Sequence, residues 1–129
     1  MPKAGLMKIA IGLPNAIPQT PGSVFTDWAR EAESHGFSSL GSIGRTVFDS
    51  HEELIVFAAA AAVTTKIGLC SSVLIAPSRD PVLLAKQAAT IDAISGGRFT
   101  LGVGIGWRDD EFVAAGCPER FKQRGKLME

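Results

Sequence analysis

A strand-like run followed by a helix-like run recurs along the chain, and this alternation is the strongest constraint on its fold. The period is about 30 residues. The four strand candidates are Lys8–Leu13, Ser38–Ile43, Ile67–Ile75 and Phe99–Val103. Strands that alternate with helices favour a parallel sheet, because each helix returns the chain to the same end of the sheet. The sequence therefore predicts an α/β fold with the order βαβαβαβ.

Each predicted helix begins at a residue that can accept hydrogen bonds from the first turn. These start signals are Ser23, the capping box of Ser50 with Glu53, and Asp80 before Pro81. The second helix is predicted over Glu52–Thr64, and two helices are predicted to end at the glycines Gly36 and Gly96. After the last strand, Asp109–Ala115 is predicted as a short helix and Phe121–Glu129 as the opening of a further helix.

Two architectures place strands and helices in this order. A doubly wound sheet needs about five strands, whereas a (β/α)8 barrel of the TIM type needs eight strands in about 250 residues. The 129 residues of this chain supply four strand candidates. We therefore expect one truncated barrel domain over residues 1–129, the N-terminal half of a (β/α)8 barrel with four β/α units and an incomplete last helix.

Composition excludes several classes of partner. The chain has 13 Lys and Arg against 13 Asp and Glu, so neither nucleic acid nor a membrane surface is an expected partner. The longest apolar run, Leu54–Val63, is shorter than the roughly 20 residues that span a bilayer. Cys70 and Cys117 lack CxxC spacing, and Met1–Met7 is followed by a strand-like run where a leader would need an apolar core. These features predict a reduced, cytoplasmic setting.

Ligands of α/β proteins bind at the carboxyl ends of the parallel strands, so the residues after each strand are the candidate site. Gly102–Gly106 resembles a dinucleotide fingerprint, but Trp107 stands where its third glycine belongs. Those glycines are explained equally well by tight packing and by a flat ligand. Arg45 is either an exposed loop arginine or a donor to a carboxylate or phosphate.

The remaining polar residues give no catalytic constellation. Glu31 with Glu33, and Asp109 with Asp110 and Glu111, lie too close together in sequence to face each other across a substrate, and we expect solvated faces. His35 and His51 are expected in solvent or capping roles, and Cys70 as a small buried hydrophobe. No metal-ligand cluster is evident, so no metal is expected and the catalytic residues are unassigned.

Several segments together resemble the bacterial luciferase-like monooxygenase family. They are Ser71–Pro77, Arg79–Gln87, Ile91-Asp92, Ser95–Arg98 and Leu101–Trp107. The likeness is strong from Cys70 to Glu111 and looser from Met7 to Phe37. It implies a (β/α)8 barrel that binds FMN or the deazaflavin coenzyme F420 at its strand ends and acts on a small organic substrate. The implied chemistry is that of a flavin-dependent oxidoreductase or monooxygenase.

The resemblance also implies positions for the cofactor. A non-prolyl cis peptide at Ser72-Val73 would form a bulge behind the flavin ring. Leu13, Gly104 and Gly106 match strand ends that lie near the ring, and Arg45 and Trp107 would line the pocket mouth.

The chain departs from the family pattern in two places. Many relatives carry an Asp-His pair after the second strand, where this chain has Gly44-Arg45, so no catalytic histidine is transferred. Strands five to eight, which supply much of the phosphate contact, are not among the four predicted strands. An open half-barrel leaves strand edges unpaired, which predicts a homo-oligomer or pairing with a second half-barrel. The alternatives are a non-catalytic half-barrel that associates with itself and a small-ligand binding module.

Overall fold

The computed structural model describes residues 7–129, so the first six residues of the predicted domain and of Met1–Met7 lie outside the described part. The strands are β1 (Ala10–Gly12), β2 (Ser39–Ser42), β3 (Gly68–Ser71), β4 (Leu74–Ile75), β5 (Phe99–Thr100) and β6 (Val103–Gly104). The α-helices are α1 (Gly22–Ser34), α2 (Glu53–Val63), α3 (Pro81–Ser95) and α4 (Asp109–Ala114). All strand pairs are parallel, which confirms the predicted α/β fold.

The main sheet has the order β1-β2-β3-β5, and β4 pairs with β6 in a short second sheet. Cys70 pairs with Thr100, and Leu74 pairs with Val103. The first chain segment therefore advances four residues while the second advances three, which is one extra residue and defines a β-bulge. The Ser72-Val73 peptide bond in this bulge is cis, as the resemblance implies.

A side-chain clip joins the two segments at the bulge. The Ser71 hydroxyl donates to the Gly102 carbonyl at 2.8 Å and accepts from the Gly102 amide at 2.9 Å. Ser71 is buried, so both bonds form away from water. The clip takes the place of the ladder hydrogen bonds that the bulge interrupts.

Helices α1, α2 and α3 pack on one face of the main sheet. Leu40 and Leu69 lie in the same buried cluster as Phe57 of α2 and Ala29 of α1. Side chains alternate between the two faces of a strand, so the neighbours of these leucines point the other way. Ser39, Gly41 and Cys70 accordingly line the face that no helix covers.

Two of the three predicted helix starts are wrong. α1 begins at Gly22 after Pro21, so Ser23 lies inside the first turn. α2 is capped by Glu52, whose Oε2 accepts from the Ile55 amide at 2.8 Å, and Ser50 instead donates to the Arg45 carbonyl. The capping box fails because the loop turns back at Ser50 before the helix begins. Asp80 caps α3 as predicted, and Gly96 ends it in the left-handed conformation.

The predicted helix over Phe121–Glu129 is also wrong. The segment forms two 3-10 turns, Pro118–Gln123 and Lys126–Met128. Its one aromatic anchor, Phe121, packs edge-on against Phe112 at 5.4 Å between ring centroids. A sequence with so few buried positions gives a longer helix nothing to pack against.

The amino-terminal end of the sheet is closed by two charged side chains. Glu33 accepts from the backbone amides of Thr65, Lys66 and Ile67 at 2.6 to 3.0 Å, so the expectation that Glu33 is purely solvated is wrong. Burial would raise the pKa of Glu33, but these donors together lower it below its ordinary value. Arg98 donates to carbonyl groups at the end of α2, which ties α2 to the loop before β5.

Candidate functional site

A candidate pocket lies along the face of the sheet opposite the helix-packed core. Its volume is about 600 Å³, and most of its wall is apolar. The lining comes from β1, β2 and β3, from the segments that follow these strands and from α1: Ala10, Ile11, Gly12, Leu13, Pro14, Ala16, Ile17, Trp28, Ser39, Gly41, Ser42, Ile43, Cys70 and Ser72. We call this the sheet-face pocket. Of the predicted cofactor residues, Leu13 and Ser72 line it.

Val73, Gly104 and Gly106 lie outside the lining of the sheet-face pocket. A Cβ atom on Gly104 would lie 2.7 Å from Val73 Cγ2, and one on Gly106 would lie 2.8 Å from Ile75 Cγ2. Gly106 also has a φ of 73°, which other residues rarely adopt. The packing explanation of these glycines is therefore confirmed, and contact with a flat ligand stays a prediction. Val73 is 44% exposed.

Arg45 and Trp107 lie at the same end of the sheet but on different loops. Arg45 lines a second cavity of about 310 Å³, together with Glu53 and Arg79. Its guanidinium lies 5.7 Å from the Phe48 ring centroid. Trp107 is 70% exposed, and the Arg108 guanidinium lies between it and Phe48, at 5.5 and 5.6 Å from the two ring centroids.

Asn15 joins the loop after β1 to the loop after β2. Its side-chain amide donates to the Ile43 carbonyl at 2.9 Å, and its backbone carbonyl accepts from the His51 amide at 2.9 Å. The residue is 1% exposed, and its Oδ1 atom is buried without a hydrogen-bond partner. Asn15 was not among the site residues predicted from the sequence. Asparagine directly after a strand end was the available signal.

Glu111 was expected on a solvated face, and this expectation is wrong. Glu111 is fully buried, and its Oε2 accepts from the Thr46 amide at 2.6 Å, while its Oε1 has no partner. Asp110 next to it does form a surface ion pair with Arg108, which lowers the pKa of Asp110. An acidic run at a helix start gives no sequence signal of which acid turns inward.

Glu53 is a second buried carboxylate at this end of the sheet. Its exposure is 2%, and its Oε1 lies 2.8 Å from Arg79 Nη2. Burial raises the pKa of Glu53 above its ordinary value, Arg79 opposes the rise, and the charges of Glu52 and Glu111 add to it. The sequence placed Glu53 in a capping box, which local patterns alone do not distinguish from a buried ion pair.

Cys70 and His51 are the remaining candidate residues. Cys70 was expected to be a small buried hydrophobe, but it is half-buried and lines the sheet-face pocket. His51 is exposed and lies before α2, with its ring 4.7 Å from that of Phe25. In the part of the chain that the structure describes, no cluster of His, Cys, Asp or Glu side chains has the arrangement of a metal site. No helix within residues 7–129 is long and apolar enough to cross a bilayer.

Comparison with known proteins gives one consistent family. A family model described as luciferase-like monooxygenase matches residues 7–129. The FMNH2-dependent dimethylsulfone monooxygenase of Pseudomonas putida is 38% identical over 110 residues, covering 78% of this chain and 30% of that protein. The pyrimidine monooxygenase RutA of Stutzerimonas stutzeri is 37% identical over 98 residues, covering 67% of this chain and 26% of that protein.

A solved structure extends the likeness to the fold. The coenzyme F420-dependent tetrahydromethanopterin reductase of Methanopyrus kandleri superposes with a TM-score of 0.70 at 27% identity. The match covers 88% of this chain and 31% of that one. The chain thus spans about a third or less of the length of these relatives, as expected of part of a (β/α)8 barrel.

Proposed function

The chain belongs to the luciferase-like monooxygenase family, and we propose that it carries the ring-binding part of the cofactor site in a flavin-dependent oxidoreductase. The observation that carries the proposal is the sheet-face pocket. It is mostly apolar, has a volume of about 600 Å³ and extends along the sheet to the carboxyl ends of its parallel strands. Relatives of the chain include an FMNH2-dependent and an F420-dependent enzyme.

The residues of the pocket fit the ring of a flavin. Small-molecule sites are concave and mostly apolar, with volumes of about 300 to 1,000 Å³. Gly12, Gly41 and Cys70 give the strands a low, flat surface against which a planar ring can lie. Leu13 and Ser72 stand at the edges of this surface, which supports their assignment as cofactor-binding residues.

The flavin would supply two-electron redox chemistry, and the protein would supply its position and surroundings. Leu13 and Ile43 present apolar surface that excludes water from one side of the ring. The Ser72 side chain lies at the pocket edge beside the bulge that Val73 and Gly104 complete. In this proposal Arg45 and Trp107 border the mouth and select among substrates without reacting.

The phosphate of the cofactor needs contacts from outside this lining. No Lys or Arg side chain lines the sheet-face pocket within residues 7–129. The sheet order places β1 and β5 at the two edges of the main sheet. We infer that further strands pair with these edges, from a second half-barrel or another copy of the chain, and that they carry the phosphate contacts.

The test is a fluorescence titration of the purified chain with FMN and, separately, with coenzyme F420, while light scattering reports the mass of the assembly. Saturable binding by an assembly larger than a monomer is expected, because association closes the pocket. Substituting Gly41→Leu, which fills the flat wall, should abolish binding, whereas Gly125→Leu, at a turn outside the pocket, should not. A folded chain that binds neither flavin in any assembly state would refute the proposal.

A further inference from the structure

Two backbone amides in the loop after β2 are held by groups from other elements. The Gly44 amide donates to the Val73 carbonyl at 3.4 Å, and the Thr46 amide donates to Glu111 Oε2 at 2.6 Å. Between them lies Arg45, whose side chain borders the second cavity. The segment 44–46 is therefore fixed to the bulge on one side and to α4 on the other.

The Glu53 carboxylate packs against the backbone of this segment. A Cβ atom on Gly44 would lie 2.2 Å from Glu53 Oε1 and 2.8 Å from Glu53 Cδ, so the carboxylate rests directly on the glycine backbone. The same oxygen is held by Arg79 Nη2 at 2.8 Å. Because Arg79 also binds Glu52, the Glu53 side chain has little freedom to move away.

Burying a carboxylate costs free energy, so apolar side chains would be expected at these two positions if the carboxylates had no role. Glu111 is 0% exposed and its Oε2 accepts from the Thr46 amide, while Glu53 is 2% exposed and its carboxylate packs against the Gly44 backbone. Arg45 itself donates one hydrogen bond, to the Gly44 carbonyl at 3.2 Å, and forms no salt bridge within the described residues. Its guanidinium also lies 5.7 Å from the Phe48 ring of the same loop, so its position depends on how that loop is held.

We propose that Glu53 and Glu111 are positioning residues that grip the segment 44–46 from two helices and so fix Arg45 at the pocket mouth. The guanidinium then presents free N–H donors to an anionic group on the substrate. This consequence for the substrate rests on the proposed function, whereas the grip itself does not.

Amide hydrogen exchange measured by NMR on the full chain tests the grip directly. Glu111→Leu removes the acceptor of the Thr46 amide, and exchange at Thr46 should rise by about tenfold. Glu111→Gln keeps an acceptor oxygen and should restore the protection. Asp109→Leu, at an exposed position of the same helix, is the matched control and should leave exchange at Thr46 unchanged.

A double-mutant cycle tests Glu53 in the same readout. Gly44→Ala should raise exchange at Thr46 by about tenfold in the wild-type background, because the new Cβ displaces the carboxylate, and should have little further effect in Glu53→Ala. Additive effects in this cycle would overturn the proposal. So would equal exchange at Thr46 in folded Glu111→Leu and wild type.

Titration with FMN, followed by competition with benzoate, tests the role of Arg45. Arg45→Ala and Glu111→Leu should weaken benzoate competition by the same factor, and the double variant should show no further loss. Independent losses would overturn the positioning role. If the wild type binds neither FMN nor coenzyme F420, the proposed function fails, and the exchange experiments still decide whether the grip exists.

Discussion

Arg98 is only half-buried, yet its replacement with alanine should strongly destabilise the chain. All of its guanidinium donors are used: Nε binds the Ser95 carbonyl, Nη1 binds Thr64 Oγ1 and the Ile67 carbonyl, and Nη2 binds the Ala61 and Thr64 carbonyls. The distances are 2.6 to 3.1 Å. Two of these acceptors are carbonyl groups at the end of α2 that have no partner within the helix, and a cation is also favoured there by the helix dipole.

A hydrogen bond to a charged group contributes about 1.5 to 3 kcal/mol, but bonds that share one side chain do not add. We expect Arg98→Ala to lower the free energy of unfolding by about 3 to 5 kcal/mol, because it leaves several carbonyl groups without partners. For a chain of this length that corresponds to a fall in Tm of about 10 to 20 °C.

Urea denaturation followed by circular dichroism measures this change. Arg98→Lys keeps the charge but reaches fewer acceptors, so its loss should be intermediate. Arg30→Ala removes one exposed ion pair with Asp27 and should change the free energy of unfolding by less than about 0.5 kcal/mol. A loss below about 1 kcal/mol for Arg98→Ala would refute the reasoning, because it would show that water replaces the arginine without penalty.

Three further predictions concern single positions. Folding lowers the pKa of Glu33, so the ionised carboxylate stabilises the folded chain above the ordinary carboxyl pKa, and this contribution is lost as pH falls. In urea melts at a series of pH values, Glu33→Gln should therefore lose less stability than wild type towards acid pH. Folding raises the pKa of Glu53, so the carboxyl favours the folded state less as pH rises from the ordinary carboxyl pKa through the raised one. Over this range the unfolding free energy of wild type should fall relative to that of Glu53→Gln, and a constant difference between the two would contradict this. A Cβ on Gly102 would lie 2.1 Å from the Ser71 carbonyl oxygen, so Gly102→Ala should lower the free energy of unfolding by about 2 to 3 kcal/mol in urea melts, whereas Gly12→Ala, with open space around it, should have little effect.

The features that sequence predicted well are local. Asp80 caps α3 and Gly96 ends it, because an N-cap followed by proline and a glycine after the last turn each act within a few residues. Strand positions also follow from short runs of residues. The bulge that interrupts the third predicted strand at Ser72 did not follow from local patterns. It was expected only from the family resemblance, because no propensity rule marks it.

The features that sequence missed are tertiary. Glu111 and Asp109 stand in the same acidic run, and only the approach of the Thr46 amide decides that Glu111 turns inward. Glu53 was placed in a capping box because Ser50 precedes it by three residues, but the buried ion pair with Arg79 lies in a different part of the chain. Burial and long-range partners of this kind are set by the packing of whole elements, which periodicity does not specify.

NMR chemical-shift mapping with FMN tests whether the uncovered sheet face binds the flavin ring. FMN should shift the backbone amides of Leu13, Gly41, Cys70 and Ser72, which line the sheet-face pocket. Amides on the opposite, helix-covered face, such as that of Leu84, should not move. Shifts confined to the helices, or no shifts at FMN concentrations that saturate the chain by fluorescence, would contradict it.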